Sequence, residues 1–201
     1  MAEKFMQVVL TPAVQQAQEK YYGEHQDATP APESDALTSH EIDFIAERDS
    51  FYMATVSETG WPYVQHRGGA KGFVKVLEPG LIGFADYQGN RQLVSTGNLV
   101  GTDRVSLFMM DYPRRRRLKL LGHARVLDAR EHAEIADEFA AGATRKKVER
   151  LYLIQVVSYD WNCPQYITPR YTLEEIEQYV APLRRKIKDL EEKLAGTGAG
   201  R

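Results

Sequence analysis

Apolar and polar side chains alternate with a period of two through the middle of the chain, between residues 51 and 161. FYMATVS and WPYVQHR flank Glu58-Thr59-Gly60, and GFVKVLE and LIGFADY flank Pro79-Gly80, so each pair predicts an antiparallel hairpin. RVSLFMMDY is apolar almost throughout and predicts a strand buried on both faces, whereas RLKLLGHARV alternates apolar with basic side chains. With RLYLIQVVSYDW there are about six or seven short strands, which indicates an antiparallel barrel rather than alternating βα units.

Helix signals precede these strands. Thr11-Pro12 places an N-cap before a proline at the first helical position, and the helix is expected to end near Gly23. Residues 24–36 carry prolines and acidic side chains without an apolar period, which predicts an exposed linker. Thr38 and Glu41 have the spacing of a capping box and open a second helix.

Another helix is expected at about residues 130–141, and the chain ends in an amphipathic helix. Thr172 and Glu175 have capping-box spacing at its start, and Pro182 is expected to kink or restart it. Apolar residues recur along it in alternating steps of four and three, the heptad pattern of a coiled coil: Ile176, Val180, Leu183, Ile187, Leu190 and Leu194. This seam either lies on the barrel of its own chain or packs against a partner subunit, and the following GTGAGR is expected to fray.

Composition narrows the class of protein. The chain has 201 residues, 43% hydrophobic and 27% charged, and a formal net charge of −2 that gives no general attraction to nucleic acid or anionic lipid. The run from Arg114 to Arg117 is interpreted as a solvated turn, or alternatively as part of a phosphate or substrate site. No apolar stretch reaches the roughly 18 residues of a membrane helix, and no signal-peptide cleavage site is visible. The chain has one cysteine, Cys163, and its five histidines show no metal-ligand spacing. We therefore expect a cytoplasmic protein without nucleic-acid, membrane or metal partners.

Two polar clusters that contain glycine follow strands. Residues 65–69 are Gln-His-Arg-Gly-Gly, residues 86–92 are Asp-Tyr-Gln-Gly-Asn-Arg-Gln, and Ser95 and Asn98 lie close behind. Arginine binds phosphate through two parallel hydrogen bonds, glycine lets the backbone approach a ligand, and a helix that starts near Asn90 adds N–H donors. The clusters therefore suggest a site for a phosphomonoester, with ordinary solvated turns as the alternative.

Residues 51–127 resemble the FMN-binding split barrel of the pyridoxamine 5'-phosphate oxidase-like family. An ordered series of blocks carries the resemblance: HRGG-x-x-GFVKVLE, GFADYQGNRQ, STGNL, DRVSLFMMDYP and RLKLLGHARV. It extends over most of residues 38–170 and implies an α+β protein, mainly β, in which an antiparallel split β-barrel has flanking helices and a C-terminal helix. The division expected is an N-terminal helix and linker at 1–37, the FMN-binding barrel at 38–171, and the C-terminal helix with its frayed tail at 172–201.

The resemblance also implies that the chain binds flavin mononucleotide (FMN) at the interface of a homodimer, where the second subunit completes the pocket. Arg67 would contact the flavin ring or the ribityl-phosphate, Asn90 and Arg91 the phosphate, while Trp161 would cover the ring or serve only as a core or interface anchor. Since neighbours on a strand face opposite sides, His66 would then point away from the cofactor. The expected cofactor-binding residues are Arg67, Gly68, Ala85, Asp86, Gly89, Asn90, Arg91, Ser95, Asn98, Trp161, Gln165 and Arg170.

One departure concerns the substrate. Pyridoxamine-phosphate oxidases carry an arginine-x-histidine pair in the late segment, and no histidine follows Trp161 here, so pyridoxine phosphate is not the expected substrate. The resemblance implies an FMN-dependent oxidoreductase of another small organic molecule, with Arg67 or Gln165 stabilising charge near N1 and the C2 carbonyl of the flavin. The alternatives are a non-catalytic flavin sensor or carrier, and a binder of deazaflavin or of haem, for which His66 or His123 would be the axial ligand.

Overall fold

The computed structural model describes residues 3–140, 148–161 and 163–198 of the chain. They are divided between two compact units, Met1–Asp111 with Arg116–Pro164, and Tyr112–Arg115 with Gln165–Arg201. Among the described residues, the first unit contains an antiparallel sheet and five helices, and the second is built on one long helix. In these described ranges no helix is long and apolar enough to cross a membrane.

A seven-stranded sheet forms the first unit, and all of its neighbouring strands run antiparallel. Its order is β2-β1-β5-β6-β7-β4-β3, so the two predicted hairpins, β1-β2 and β3-β4, form its two ends. The mainly β, antiparallel architecture with flanking helices confirms the predicted fold class. The strands are β1 Ser50–Val56, β2 Pro62–Gly68, β3 Lys75–Glu78, β4 Leu81–Tyr87, β5 Arg104–Asp111, β6 Arg116–Asp128 and β7 Val148–Trp161.

Capping residues set the helix boundaries. Thr11 accepts a hydrogen bond from the Val14 N–H at 3.4 Å, and Gly23 ends this helix at φ 78°, a left-handed conformation that glycine adopts without strain. Glu41 accepts a hydrogen bond from the Thr38 N–H at 3.0 Å in the predicted capping box. The helices are α1 Glu3–Val9, α2 Pro12–Tyr22, α3 Ser39–Ala46, α4 Val94–Gly101, α5 Ala133–Phe139 and α6 Leu173–Gly198. Of the helix predicted at 130–141, the last residue lies outside the described residues.

The core lies on one face of β5 rather than on both. Leu107 and Met109 have no exposed surface, whereas Phe108 and Met110 are only half-buried. The guanidinium of Arg117 on β6 lies 5.8 Å from the centroid of the Phe108 ring. The second face of β5 is thus only partly covered, with Arg117 over Phe108, and the prediction of two-sided burial was wrong.

A bulge shapes the long β6-β7 ladder. The register of these two strands shifts between Leu121 and Gly122. A Cβ placed on Gly122 would lie 2.6 Å from the carbonyl oxygen of Gln155, a distance that a real side chain cannot adopt. Glycine is therefore required at this position for the two backbones to approach each other.

The second unit contains α6. Its predicted capping box is present, because Glu175 accepts a hydrogen bond from the Thr172 N–H at 2.8 Å and its own N–H donates to the Thr172 hydroxyl at 3.2 Å. The helix runs through Pro182 without restarting and continues to Gly198. Residues 199–201 of the predicted tail lie outside the described residues.

Candidate functional site

One pocket in the first unit gathers many of the predicted binding residues. It has a volume of about 250 Å³ and opens between β2, the end of β4, the start of β7 and the N-terminus of α4. The predicted residues that line it are Arg67, Asp86, Gly89, Asn90, Arg91 and Ser95. The other lining residues are Tyr63, Gln65, Tyr87, Gln92, Leu93, Val94, Thr96 and Arg150.

Asp86 joins two arginines in this pocket. It lies opposite Arg150 because the antiparallel register of β4 and β7 pairs these two residues. One carboxylate oxygen accepts a hydrogen bond from Arg150 Nε at 2.8 Å, and the other accepts one from Arg67 Nη1. Burial opposes the charge on Arg150, but the carboxylates of Asp86 and Glu149 outweigh it and raise the pKa of Arg150. Both guanidinium groups are thus held in place by Asp86, and Arg150 also pairs with Glu149 at 2.9 Å.

Arg67 retains one buried donor that no described residue accepts. Its Nη2 donates to the Tyr152 hydroxyl at 3.3 Å, and the guanidinium lies 5.0 Å from the centroid of the Tyr152 ring and 5.7 Å from that of Phe84. Its Nε is buried and has no hydrogen-bond partner in the described part of the chain. A buried donor without an acceptor costs roughly 1–3 kcal/mol. A ligand oxygen that accepted this hydrogen bond would recover that free energy.

The N-terminus of α4 contributes backbone donors. No side chain in the described part of the chain caps this helix, so the N–H groups of its first turn remain available to an anion. Residues 93–96 line the pocket. The Ser95 hydroxyl donates to the Gln65 side chain at 2.9 Å, which ties the helix to β2. Alternation along β2 places Gln65 and Arg67 on the pocket side, while His66 is exposed on the other face beside Tyr52.

A tight turn leads from β4 into α4. The side chain of Asn90 accepts a hydrogen bond from the Gln92 N–H at 3.1 Å, which forms a local turn typical of asparagine. Arg91 and Leu93 have φ values of 62° and 54°, both in the left-handed region. The helix therefore begins at Val94 rather than near Asn90, the start considered from the sequence.

Gly68 and Ala85 line a smaller hollow of about 190 Å³, which shares Arg67 and Asp86 with the pocket. A Cβ on Gly69 would lie 2.7 Å from Cγ of Phe73, and a Cβ on Gly68 would lie 3.1 Å from Cε1 of His66. Packing inside the chain therefore accounts for these glycines, and their small size is not by itself evidence of a ligand.

Trp161 is held by its own chain at the end of β7. Its indole Nε1 donates to Glu41 at 2.7 Å, and its ring meets Phe44 edge to face at a centroid distance of 4.7 Å. Burial would raise the pKa of Glu41, but hydrogen bonds from Thr38 and Trp161 outweigh it and lower that pKa to about 2. The guanidinium of Arg116 lies 4.6 Å from the centroid of the Trp161 ring, so this part of the arginine run is half-buried rather than solvated.

The remaining predicted residues have different surroundings. Asn98 is buried on α4 and donates its side-chain amide to Thr55 Oγ1 at 2.9 Å, so its polar group already has a structural partner. Gln165 and Arg170 are exposed residues of the second unit, where the Arg170 guanidinium lies 5.0 Å from the centroid of the Tyr112 ring.

Sequence reasoning missed Arg150, Tyr152 and Thr96. Tyr152 is fully buried, and its hydroxyl is 2.7 Å from the Thr96 hydroxyl, so it connects Arg67 to α4. The only signal in the sequence is a basic residue at the start of β7 and a tyrosine two positions later. Neither could be placed at the pocket without knowing that β7 pairs with β4.

Solved structures of known proteins have a fold similar to that of this chain. The chain is similar to the HupZ protein of Group A Streptococcus, with 15% identity, 67% of this chain and 99% of that chain covered, and a TM-score of 0.51. A single-residue variant of HupZ gives 14% identity, 63% and 99% coverage and a TM-score of 0.51. A putative pyridoxamine 5'-phosphate oxidase from Lactobacillus delbrueckii gives 18% identity, 62% and 93% coverage and a TM-score of 0.48. At these identities the likeness to the two HupZ structures concerns the fold alone.

No curated protein matches the chain in sequence. A protein-family comparison does give a match, over residues 37–156, to the family described as pyridoxamine 5'-phosphate oxidase. These residues span the sheet from before β1 into β7, together with the arginine-lined pocket. Because the match covers more than half of the sequence, the chain belongs to the pyridoxamine 5'-phosphate oxidase family.

Proposed function

We propose that this chain binds FMN, with the phosphate in the arginine-lined pocket, and acts as an oxidoreductase on a small organic substrate. The observation that carries the proposal is the set of donors in the pocket, whose lining has three arginines and one carboxylate beside a helix N-terminus that no described side chain caps. A phosphate monoester fits these donors, because guanidinium groups bind its oxygens in pairs and a helix N-terminus favours its charge. Family membership supports a flavin as the rest of the ligand.

The arginines of the pocket are expected to contribute to binding in different ways. Arg91 is exposed and makes no ion pair within the described residues, so its guanidinium is available to a phosphate. Arg67 and Arg150 are already oriented by Asp86, which reduces the side-chain freedom that they would lose on binding. When bound, FMN supplies hydride-transfer chemistry at N5 that no protein side chain provides. Arg67 would use its unpartnered Nε toward the ligand.

We also propose that the protein acts as a homodimer with the cofactor at the interface. Trp161, Gln165 and Arg170 of the second subunit would then complete the pocket, as the family resemblance implies. The substrate is proposed to differ from pyridoxine phosphate, because no histidine follows Trp161 in the sequence. A purified monomer that held FMN tightly would contradict the shared site.

The first experiment is an absorption spectrum of the purified protein, followed by heat release and identification of the chromophore. We expect flavin bands and release of equimolar FMN. A Soret band would indicate haem instead, although no lining residue of the arginine pocket is a histidine that could ligate the iron. A deazaflavin would differ in mass, and absence of turnover with reduced nicotinamide and candidate acceptors would favour a sensor or carrier.

Titration with FMN and riboflavin tests the phosphate site directly. Riboflavin lacks the phosphate, so Arg91→Ala should weaken FMN binding while leaving riboflavin binding unchanged. Loss of a charge-assisted hydrogen bond of about 1.5–3 kcal/mol corresponds to roughly a 10- to 150-fold rise in Kd. Arg67→Ala should also weaken FMN binding without unfolding the protein.

Arg130→Ala is the matched control. Arg130 is exposed and pairs with Asp128 at a distance of 2.5 Å, outside the lining of the pocket. Arg130→Ala should leave the affinities for FMN and for riboflavin unchanged. Equal FMN affinity in the wild type, Arg91→Ala and Arg67→Ala would show that the phosphate does not bind in this pocket. The proposal would then lose the observation on which it rests.

A further inference from the structure

The surface of α6 carries a continuous apolar seam. With Leu173 as heptad position a, every a and d position up to residue 194 is apolar. Leu183, Ile187 and Leu190 in the middle of the seam are 60%, 55% and 49% exposed. A row of large apolar side chains of this length on a water-exposed helix is typical of an interface. The a positions are Leu173, Val180, Ile187 and Leu194, and the d positions are Ile176, Leu183 and Leu190.

We infer that α6 pairs in parallel with α6 of a second copy of this chain, as a two-stranded coiled coil. The two central heptads have β-branched Val180 and Ile187 at position a and leucine at both d positions, 183 and 190. This combination favours parallel dimers over trimers and tetramers, because it sets how the side chains fit the holes of the facing helix. A two-fold axis along the coil places each seam residue beside its own counterpart.

The charged flanks favour the same arrangement. In a parallel dimer, a residue at g lies beside the e residue of the following heptad on the other helix. That rule pairs Lys186 with Glu191 of the second copy, and it does so twice across the dimer. Neither residue makes an ion pair within the described residues, and five positions separate them, so they do not face each other on one helix. The preceding g residue, Tyr179, is uncharged and brings no like charge to Arg184.

Pro182 is compatible with this pairing. It occupies heptad position c, on the outer side of the helix, and α6 continues through it. A bent helix has its convex side toward solvent, and a proline bends the helix away from its own side. A bend at Pro182 would therefore turn the seam toward the partner helix, not away from it.

Disulfide trapping tests the orientation in the full-length protein. Cys163 is exposed and is first replaced by serine, so that the introduced cysteine is the only thiol. Leu190→Cys at a d position places two thiols within the roughly 4.4–6.8 Å Cα separation of a disulfide only if the helices are parallel and in register. Glu192→Cys, on the outer f position of the same turn, is the control. We expect a disulfide dimer from Leu190→Cys on mild oxidation and none from Glu192→Cys.

A charge reversal tests the flanks. Adding Lys186→Glu to the Leu190→Cys chain places two acidic side chains side by side and should reduce disulfide formation, and adding Glu191→Lys as well should restore it. Three results would overturn the inference. They are equal disulfide formation by Leu190→Cys and Glu192→Cys, no disulfide formation by either, and disulfide formation that the charge reversal does not change. It does not rest on the proposed flavin site, because the seam lies wholly in the second unit. Measuring FMN in the same samples shows which of the two proposals fails.

Discussion

Replacing Glu41 by glutamine is expected to destabilise the protein by about 3 kcal/mol at neutral pH. The Glu41 side chain is 4% exposed and accepts hydrogen bonds from the Trp161 indole at 2.7 Å and the Thr38 N–H at 3.0 Å. Despite the burial, these donors lower the pKa of the carboxyl from 4.5 to about 2. Glutamine keeps the shape of the side chain but removes the charge that these donors stabilise.

The pH dependence follows from the direction of this shift. Because the pKa of Glu41 is lower in the folded protein than in the unfolded chain, its contribution is fully present above pH 4.5 and is lost as the pH falls toward 2. A difference of roughly 2.5 pKa units corresponds to about 3 kcal/mol. The gap in unfolding free energy between the wild type and Glu41→Gln should therefore be largest at neutral pH and should close in acid.

Urea unfolding followed by tryptophan fluorescence at several pH values between 7 and 2.5 measures this gap. Glu78→Gln is the control, since Glu78 is exposed on β3 and such surface changes stay within about 0.5 kcal/mol. A gap below about 1 kcal/mol at pH 7, or one that does not change with pH, would refute the assignment of Glu41 as a buried, stabilised carboxylate.

Two further predictions concern stability. Arg48→Ala removes the guanidinium that lies 3.3 Å from the 2% exposed Asp111 carboxylate and donates to the Met110 carbonyl at 2.9 Å. It should cost about 3–5 kcal/mol in chemical unfolding, and a loss below about 1 kcal/mol would contradict the structure. Gly122→Ala places a Cβ 2.6 Å from the Gln155 carbonyl oxygen, so the strands must move apart. It should lower the free energy of unfolding by roughly 1–3 kcal/mol, and an unchanged thermal midpoint would contradict this prediction.

Features that depend on neighbours in sequence could be predicted well. The capping boxes at Thr38 and Thr172 and the glycine that ends α2 each involve residues within a few positions of one another. Both hairpins follow from alternation on either side of a short turn, and they set the ends of the sheet. For such features the local backbone conformation is decided largely by the residues themselves.

Features that depend on distant pairing could not be derived in this way. Arg150 reaches Asp86 across 64 positions, and Trp161 reaches Glu41 across 120. The one-sided burial of β5 depends equally on which strand lies beside it, since Arg117 of β6 lies over Phe108 on its second face. The sequence alone identified Arg67, Asp86 and Arg91 as candidates, but the sharing of Asp86 by two arginines emerged only from the register of β4 and β7.

The strained turn before α4 has a consequence for heat resistance. Arg91 and Leu93 hold left-handed conformations that cost a side-chain-bearing residue roughly 1–2 kcal/mol each, and local contacts such as the Asn90 turn must maintain them. On warming, such a segment relaxes before the sheet melts, because its opening costs less free energy than unfolding the core. Ligand affinity would then disappear at a temperature where the sheet is still intact, and the loss would reverse on cooling. The temperature at which the proposed ligand is lost would thus report the stability of one turn, and would lie below the melting temperature of the sheet.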